Sequence, residues 1–178
     1  MKLIDLFEQQ VVIKGDVVIP GETTTLVGYK HQGKPIAQAK VFGTFRCSYT
    51  KITSLEGGPS WVGGYFYCHG TKITSLEGGP SWVGGNFNCL DTQHLTSLHN
   101  IHKQIKHIGG QLYLSNTVKS HILGVMFIEG LQKIQIHWSN TKQKQVENII
   151  NKHLGGDRNI HLAQEELLEA GLKEYAKL

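Results

Sequence analysis

Cysteine and histidine are the residue types in this chain whose chemistry first suggests a site. Three cysteines recur at an interval of 21 residues, at Cys47, Cys68 and Cys89. Thiolates in a regular arrangement could hold a metal ion or form a disulfide. The equivalent positions of two later repeats, however, hold Leu114 and Trp138. We therefore interpret the series as a column of small buried hydrophobic side chains.

Histidine is the second candidate, since the chain has ten. Four of them lie close together in the sequence: His94, His99, His102 and His107. Only His99 and His102 have a local spacing suited to zinc, and no cysteine or carboxylate accompanies them. The sequence therefore predicts neither a metal site nor a cofactor, and surface histidines account for the composition equally well.

Known catalytic motifs are a third test. The sequence contains no serine nucleophile elbow, Walker loop, HExxH helix or CxxC pair. His69 or His137 could act as a general base, but no partner carboxylate occupies the neighbouring repeat position. We therefore predict that the chain is not an enzyme.

Composition narrows the class of protein further. A chain of 178 residues is about one domain long, and 18 Lys and Arg against 14 Asp and Glu give a formal net charge of +4. This charge is low for a dedicated nucleic-acid surface. Because Asp5 and Glu8 interrupt the first leucines, and no apolar run approaches about 20 residues, neither a signal peptide nor a membrane span is expected. Together with the odd number of cysteines, this predicts a cytoplasmic protein.

An internal repeat organises the chain. The stretch TKITSLEGGPSWVGG occurs at residues 50–64 and again, unchanged, at 71–85. Five strand-like segments follow the same pattern: FRCSYT from Phe45, FYCHGT from Phe66, FNCLDT from Phe87, LYLSNT from Leu112 and IHWSNT from Ile136. GDVVIP from Gly15 is a weaker sixth copy. Their alternation of apolar and polar residues predicts short half-buried strands, and repeats of this length stack in parallel to bury their inner faces.

The stack predicts columns of equivalent residues. The first inner column contains Phe45, Phe66, Phe87, Leu112 and Ile136, the second contains the cysteines with Leu114 and Trp138, and the third contains Ile52, Ile73 and Leu95. A threonine column, Thr50, Thr71, Thr92, Thr117 and Thr141, is expected to bond to backbone groups in the turns. The glycine pairs at 63–64, 84–85 and 109–110 are expected to turn tightly or take a positive φ. Trp61 and Trp82 either pack across consecutive coils or form an exposed second interface.

The ends of the stack need covering, which divides the chain into three segments. Residues 1–40 are predicted to be an N-terminal cap with a short helix over residues 4–10 and strands around 11–19. Residues 41–141 form the solenoid. Residues 142–178 form a C-terminal helical cap, with one helix ended by the glycines at 155–156 and a second over residues 160–178. The second helix is alternatively a docking helix for a partner.

The repeat is similar to a known class. Residues 63–73 follow the leucine-rich-repeat frame L-x-x-L-x-L-x-x-N-x-L, with Gly63 at its first Leu position and Thr71 at its Asn position. The pattern ITSLEGGPSWVGGxFxC and the tail AQEELLEAGLKEYAKL resemble bacteriophage-encoded leucine-rich-repeat-like proteins, over roughly residues 43–178. The resemblance implies a leucine-rich-repeat-like solenoid of stacked parallel β-strands, short connecting coils and C-terminal capping α-helices. It also implies a protein that binds and inhibits a bacterial enzyme or defence factor.

The outward residues of the strands are the predicted binding site. They vary from repeat to repeat while their flanks stay identical, which is typical of a recognition surface. The predicted partner is a bacterial host protein, and single-stranded nucleic acid stacked on the tyrosines or a structural homo-oligomer are the alternatives. The predicted partner-binding residues are Arg46, Tyr65, Tyr67, His69, Asn86, Asn88, Asp91, Gln111, Tyr113, Gln135 and His137.

Overall fold

The computed structural model describes residues 10–155 and 158–178 and forms a β-solenoid. In chain order the strands are β1 Val12–Ile13, β2 Val17–Val18, β3 Lys30–His31, β4 Lys34–Pro35, β5 Lys40–Val41, β6 Phe45–Arg46, β7 Trp61–Val62, β8 Phe66–Tyr67, β9 Trp82–Val83, β10 Phe87–Cys89, β11 His107–Ile108, β12 Gln111–Ser115 and β13 Lys133–His137. The helices are α1 Ile101–Gln104, a 3-10 helix at Leu123–Phe127, α2 Thr141–Leu154 and α3 Ile160–Glu169.

Two parallel sheets run along the solenoid. The first has the strand order β1-β5-β7-β9-β11 and the second the order β13-β12-β10-β8-β6-β2, while β3 and β4 form a small antiparallel hairpin. The predicted solenoid of stacked parallel strands is therefore confirmed. Apart from β1, the first sheet was not predicted, because its strands lie outside the repeated segments that show the alternating pattern.

The core consists of the predicted columns with one error in the last coil. Phe45, Phe66 and Phe87 are in register and buried, with ring centroids 5.5 and 4.8 Å apart. In β13, however, Ile134 pairs with Leu112 and Ile136 pairs with Leu114. The predicted register of the last coil was therefore wrong by two residues. Ile136 fills the core position that was assigned to Trp138, and Trp138 is 64% exposed. Burying two isoleucines fills the narrow core without placing an indole there.

The glycine pairs bring the coils close together. A Cβ at Gly84 would lie 2.1 Å from the carbonyl oxygen of Gly63, and a Cβ at Gly109 would lie 2.1 Å from that of Gly84. None of the six paired glycines has a positive φ, and each pair forms a bend before its strand, so the structure selects the tight turn from the two predicted alternatives. Glycine is therefore required at these bends because the backbones of neighbouring coils approach closely, and not because the backbone conformation is unusual.

The threonine column links the strands to their turns. The hydroxyls of Thr50, Thr71 and Thr92 each donate a 2.7 Å hydrogen bond to the carbonyl of the residue three before, which is a cysteine in every case. This confirms the predicted bonding of these three threonines. Thr117 instead donates to the carbonyl of Thr92 in the preceding coil, and Thr141 is exposed as the first residue of α2.

Helix α2 covers the last strand of the second sheet. The side chain of Asn151 accepts from the Ile134 N–H at 2.8 Å and donates to the Ile134 carbonyl at 2.9 Å. One oxygen of Glu147 accepts from the Ile136 N–H at 2.8 Å. These side chains satisfy edge groups that a further strand would otherwise bind, so the predicted C-terminal cap is confirmed at the level of individual hydrogen bonds.

The second C-terminal helix is shorter than predicted. It ends at Glu169, and Gly171 follows with a φ of +73°. The Gly171 N–H donates to Leu168 and the Leu172 N–H to Leu167, which is the pattern of a Schellman motif closed by a left-handed glycine. The longer helix was predicted from an apolar stripe that includes Leu168, Leu172 and Tyr175. Leu168 is 53% exposed, whereas Leu172 and Tyr175 are buried in the segment after the helix.

The N-terminal segment continues both sheets. The strands expected around residues 11–19 are β1 and β2, which pair in parallel with β5 and β6. The weak sixth copy from Gly15 is therefore a coil of the solenoid. Of the helix predicted over residues 4–10, residues 4–9 lie outside the described part of the chain.

Candidate functional site

We use the term strand face for the outward side of the second sheet. The parallel register aligns one residue of each strand along it: Val18, Arg46, Tyr67, Asn88, Tyr113 and Gln135. Two residues before each of the last five, a second row is formed by Thr44, Tyr65, Asn86, Gln111 and Lys133. Because β13 is shifted by two residues, Gln135 occupies the position predicted for His137, and Lys133 occupies the position predicted for Gln135. The predicted positions of His137 and Gln135 in the two rows were therefore wrong.

One end of the strand face is aromatic and cationic. The guanidinium carbon of Arg46 lies 4.6 Å from the ring centroid of Tyr67, and the Tyr65 and Tyr67 rings are stacked 5.8 Å apart. The His69 ring meets the Tyr67 ring edge-on at 5.9 Å. Cation–π and aromatic contacts of this kind hold side chains in fixed positions at little entropic cost. The structure therefore brings four of the predicted residues into one cluster.

Sequence reasoning missed Tyr49, which belongs to the same cluster. Its side chain is 69% exposed, and its ring lies 4.9 Å from the His69 ring at an angle of 90°. Tyr49 has a φ of +57° and packs over Gly70, where a Cβ would lie only 2.4 Å from the tyrosine ring. Gly70 is the sequence feature that could have revealed this contact. It occupies the position equivalent to Tyr49 in the next repeat, and a glycine there leaves room for the tyrosine ring.

The centre of the strand face is a row of amides. Asn86 accepts from the backbone N–H of Gln111 at 2.9 Å, and the Gln135 amide donates to the Gln111 side-chain oxygen at 2.6 Å. Asn88 accepts from the Leu90 N–H at 3.0 Å. Some of their hydrogen-bonding capacity is therefore used within the solenoid, which orients the remaining amide groups outward.

The far end of the strand face is aromatic again. The rings of Tyr113 and His137 lie 6.1 Å apart, and His137 meets the exposed Trp138 at 5.8 Å. Trp138 is therefore a surface residue of this face, which sequence reasoning assigned to the core. Asp91 lies at the margin, exposed and with a φ of +55°.

The first sheet carries a second exposed set of rings, which we call the ring row: Phe42, Trp61, Trp82 and His107. Trp61 and Trp82 are register partners on β7 and β9. The Trp82 ring stacks on the His107 imidazole at 3.6 Å and 6°, and Phe42, 57% exposed, lies 5.2 Å from Trp61. The tryptophans therefore pack across consecutive coils and also remain partly exposed, so each of the two predicted alternatives describes part of the arrangement.

The cysteines point into the core. Cys47, Cys68 and Cys89 are buried, and each thiol donates to a carbonyl of the next coil at 3.1 to 3.5 Å. Burial raises the pKa of Cys47 and of Cys89 to about 12, and burial and the flanking thiols raise that of Cys68. Protonated, enclosed thiols are poor nucleophiles and poor metal ligands, in agreement with the predicted hydrophobic column.

A histidine cluster lies where the C-terminal residues meet the segment before β11 and the segment after β12. The rings of His99 and His121 are 4.9 Å apart, and the backbone N–H of His121 donates to the Glu174 carbonyl. Burial, followed by nearby His99 and Lys177, lowers the pKa of His121, while Glu174 opposes the shift. Burial and neighbouring cations also lower the pKa of His102, whose Nδ1 is buried without a hydrogen-bond partner in the described structure.

These histidines do not converge on a metal position. His107 stacks on Trp82 in the ring row, and His94 is exposed in a separate turn. Across residues 10–155 and 158–178, no three or more His, Cys, Asp or Glu side chains come together as a possible metal site.

A groove of about 380 Å³ lies beside α1 and is lined in part by Ser75, Glu77, Ser97 and Lys103. The Ser75 hydroxyl accepts from the Glu77 N–H and the Ser97 hydroxyl from the His99 N–H. These hydroxyls therefore close turns of the solenoid, and the Ser97 hydroxyl also lies 3.0 Å from Nδ1 of His121.

No helix in the described ranges is long and apolar enough to span a membrane. Comparisons of the chain with protein families, with curated proteins and with solved structures give no significant match.

Proposed function

We propose that this chain is a non-catalytic protein-binding module whose strand face contacts a bacterial protein. One observation carries the proposal: the second sheet presents an ordered face of tyrosine, amide, histidine and arginine side chains, with the carboxylates of Asp16 and Asp91 at its margins. Tyrosine and arginine dominate binding hot spots, and amides supply adaptable hydrogen bonds. Such a composition suits a protein surface.

Rigidity of the face supports the same proposal. Its residues lie on strands held in register by buried columns, and Tyr67 contacts both the Arg46 guanidinium and the His69 ring. Side chains that are already ordered lose little conformational entropy when a partner binds. The solenoid therefore provides a preorganised surface, as a binding protein without a catalytic centre requires.

The class of partner is proposed from the sequence resemblance to bacteriophage-encoded repeat proteins. On this proposal the partner is a host enzyme or a defence factor such as a toxin, located in the cytoplasm of an infected bacterium. The chain would act as an inhibitor by covering the partner's functional surface. An inhibitor of this type needs affinity and shape complementarity, and it needs no cofactor.

The test uses matched variants of the two sheets. Bacterial lysate is passed over the wild-type protein, over a variant with Arg46, Tyr67 and Tyr113 changed to Ala, and over a ring-row variant with Phe42 and Trp82 changed to Ala. We expect the wild type and the ring-row variant to capture the same protein and the strand-face variant to lose it. The captured protein is then purified for calorimetric binding and activity assays, in which stoichiometric addition of the wild type should inhibit it.

Equal capture by all three proteins, each verified as folded by its urea transition, would refute the strand face as the binding surface. Capture lost only in the ring-row variant would assign binding to the first sheet. Binding that leaves the captured enzyme fully active would refute the inhibitor role and keep the binding role.

Two specific observations favour other functions. The stacked Tyr65 and Tyr67 beside Arg46 resemble a platform for unpaired bases, which would make the protein a single-stranded nucleic-acid binder. Affinity that falls steeply with salt would identify that function. The partly exposed Trp82 and Phe42 could instead join two copies of the chain, and measurement of the solution mass tests this alternative.

A further inference from the structure

The guanidinium of Arg46 is held in place but has no acceptor. It lies 4.6 Å from the centroid of Tyr67, its register partner on the next strand. Within the part of the chain that the structure describes, it makes no hydrogen bond or ion pair. Arginine presents five N–H donors in a rigid fork that matches a carboxylate in a two-point contact. The cation–π contact therefore orients a complete, unused donor set toward solvent.

The second arginine of the chain shows the contrast. Arg158 donates to the carbonyls of Met126, Ile128 and Leu131, at 2.5 Å in the case of Leu131. These bonds hold the end of the 3-10 helix, and burial lowers the pKa of Arg158. The chain thus contains one structurally engaged arginine and one available arginine, and the available one lies on the strand face.

His69 adds a second donor beside Arg46. Its Nδ1 lies 3.0 Å from the Ser48 hydroxyl, and edge-on contacts with Tyr49 and Tyr67 fix the ring plane. When the hydroxyl donates to Nδ1, the neutral imidazole carries its proton on Nε2, on the side away from Ser48. Burial, followed by Arg46, lowers the pKa of His69, whereas Asp91 opposes the shift. The pair therefore combines one fixed positive charge with one neutral donor.

We propose that Arg46, Tyr67 and His69 form a receptor for a carboxylate that a partner protein presents to the strand face. This inference rests on the proposed protein-binding function and names the chemistry of its contact. Arg46 binds the carboxylate oxygens, Tyr67 positions the guanidinium, and His69 donates from Nε2. An acidic side chain or a C-terminal carboxylate of the partner supplies the anion.

Charge spacing favours a carboxylate over a nucleic-acid backbone. The other cation of the two rows is Lys133 on β13, four strand steps from Arg46 on β6, or about 19 Å at 4.8 Å per step. A nucleic acid would require a series of cations to follow its phosphates. A single arginine beside an aromatic ring, with amides beyond it, suits one acidic group within a largely uncharged contact.

The first experiment measures anion binding directly. Because Arg46 and Arg158 are the two arginines of the chain, their side-chain N–H signals can be assigned in a protein labelled with nitrogen-15 arginine. Sodium acetate is titrated against sodium chloride at constant ionic strength. We expect a saturable shift of the Arg46 signal and of the His69 ring signals, and a constant Arg158 signal. Equal shifts at both arginines, or a response that never saturates, would overturn the receptor.

Variants separate the roles of the residues. Arg46→Gln should weaken acetate binding by about tenfold, which is the loss expected for a charge-assisted hydrogen bond. Binding to this variant is measured from the His69 ring signals. Tyr67→Leu should weaken it about threefold while the Arg46 signal broadens, because the ring positions the guanidinium. Lys133→Gln removes the same charge from the far end of the face and should leave acetate binding unchanged. An equal loss in Lys133→Gln would mean that net charge, rather than this site, attracts the anion.

The source of the anion and the fate of the proposed function are tested separately. A short oligothymidylate that shifts the Arg46 signal where acetate does not would overturn the carboxylate in favour of phosphate. If acetate fails to bind but strand-face variants still lose the captured protein, the receptor is overturned and the protein-binding function stands. Saturable acetate binding at Arg46 supports the receptor even when no protein is captured.

Discussion

Removal of the amide that closes the second sheet should destabilise the whole solenoid. Asn151 of α2 bonds to both the N–H and the carbonyl of Ile134, at 2.8 and 2.9 Å, and so replaces the next strand. Asn151→Ala removes both bonds at a partly buried edge. With about 1 kcal/mol of net stability for each bond, the loss is about 2 kcal/mol. Alanine also returns about 0.5 kcal/mol through its higher helix propensity.

The chain offers a matched control in the same helix. Asn148 lies on the exposed side of α2, so Asn148→Ala gains the same helix propensity without losing a contact to β13. Urea unfolding should therefore place the two variants about 2 kcal/mol apart, with Asn151→Ala less stable and the dependence on urea unchanged. A difference below about 0.5 kcal/mol would show that water replaces the amide at this edge and would refute the capping argument.

Three further changes test the coil contacts, the histidine cluster and the cysteine column. Gly84→Ala places a Cβ 2.1 Å from a backbone oxygen of the previous coil, and urea unfolding should show a loss of about 3 kcal/mol. The pKa of His121 lies below its ordinary 6.5, so the unfolded chain takes up the proton first. Unfolding free energy should therefore fall as the pH drops from 6.5 to the folded-state pKa, and less steeply in His121→Gln. Burial raises the pKa of Cys47 to about 12, so native protein should resist iodoacetamide at about pH 8 until urea unfolds it.

Each of these has a clear contradicting result. Gly155 has a φ of −78° and open space around it, so Gly155→Ala is the control for Gly84→Ala, and equal stability of the two variants would refute the close approach of the coils. Parallel pH profiles of wild type and His121→Gln would remove His121 as a source of the acid sensitivity. Rapid alkylation of the native thiols would show that the cysteine column opens readily.

The inner columns could be predicted because identical repeats make equivalent positions visible. Phe45, Phe66 and Phe87 are the same residue at the same interval, and stacking places them together whatever the shape of the connecting segments. The outward residues of the strand face could be predicted in the same way, from equivalent positions in successive repeats. Its composition was therefore largely predictable, although Tyr49 was missed because it lies in a turn after the strand and adopts a left-handed backbone conformation.

The parts that could not be predicted are those in which local pattern is ambiguous. Alternation with a period of two is satisfied in β13 by Ile134 and Ile136 as well as by Ile136 and Trp138, and only packing decides between them. The strands of the first sheet are two residues long and lie outside the alternating segments that revealed the equally short β6 and β8. The apolar stripe of the second helix continued past Gly171, but the Schellman bonds end the helix there.

The letter-for-letter copies at 50–64 and 71–85 lie directly on one another, with Trp61 beside Trp82 and Val62 beside Val83. Because this stretch is identical in two successive coils, a gene encoding this chain can gain or lose a copy by misaligned recombination while the contacts between the identical segments are kept. Each added copy would lengthen both sheets by about 4.8 Å. The reach of the outer surface is thus a quantity that selection can adjust in whole steps, while substitutions at the outward positions adjust what each step recognises.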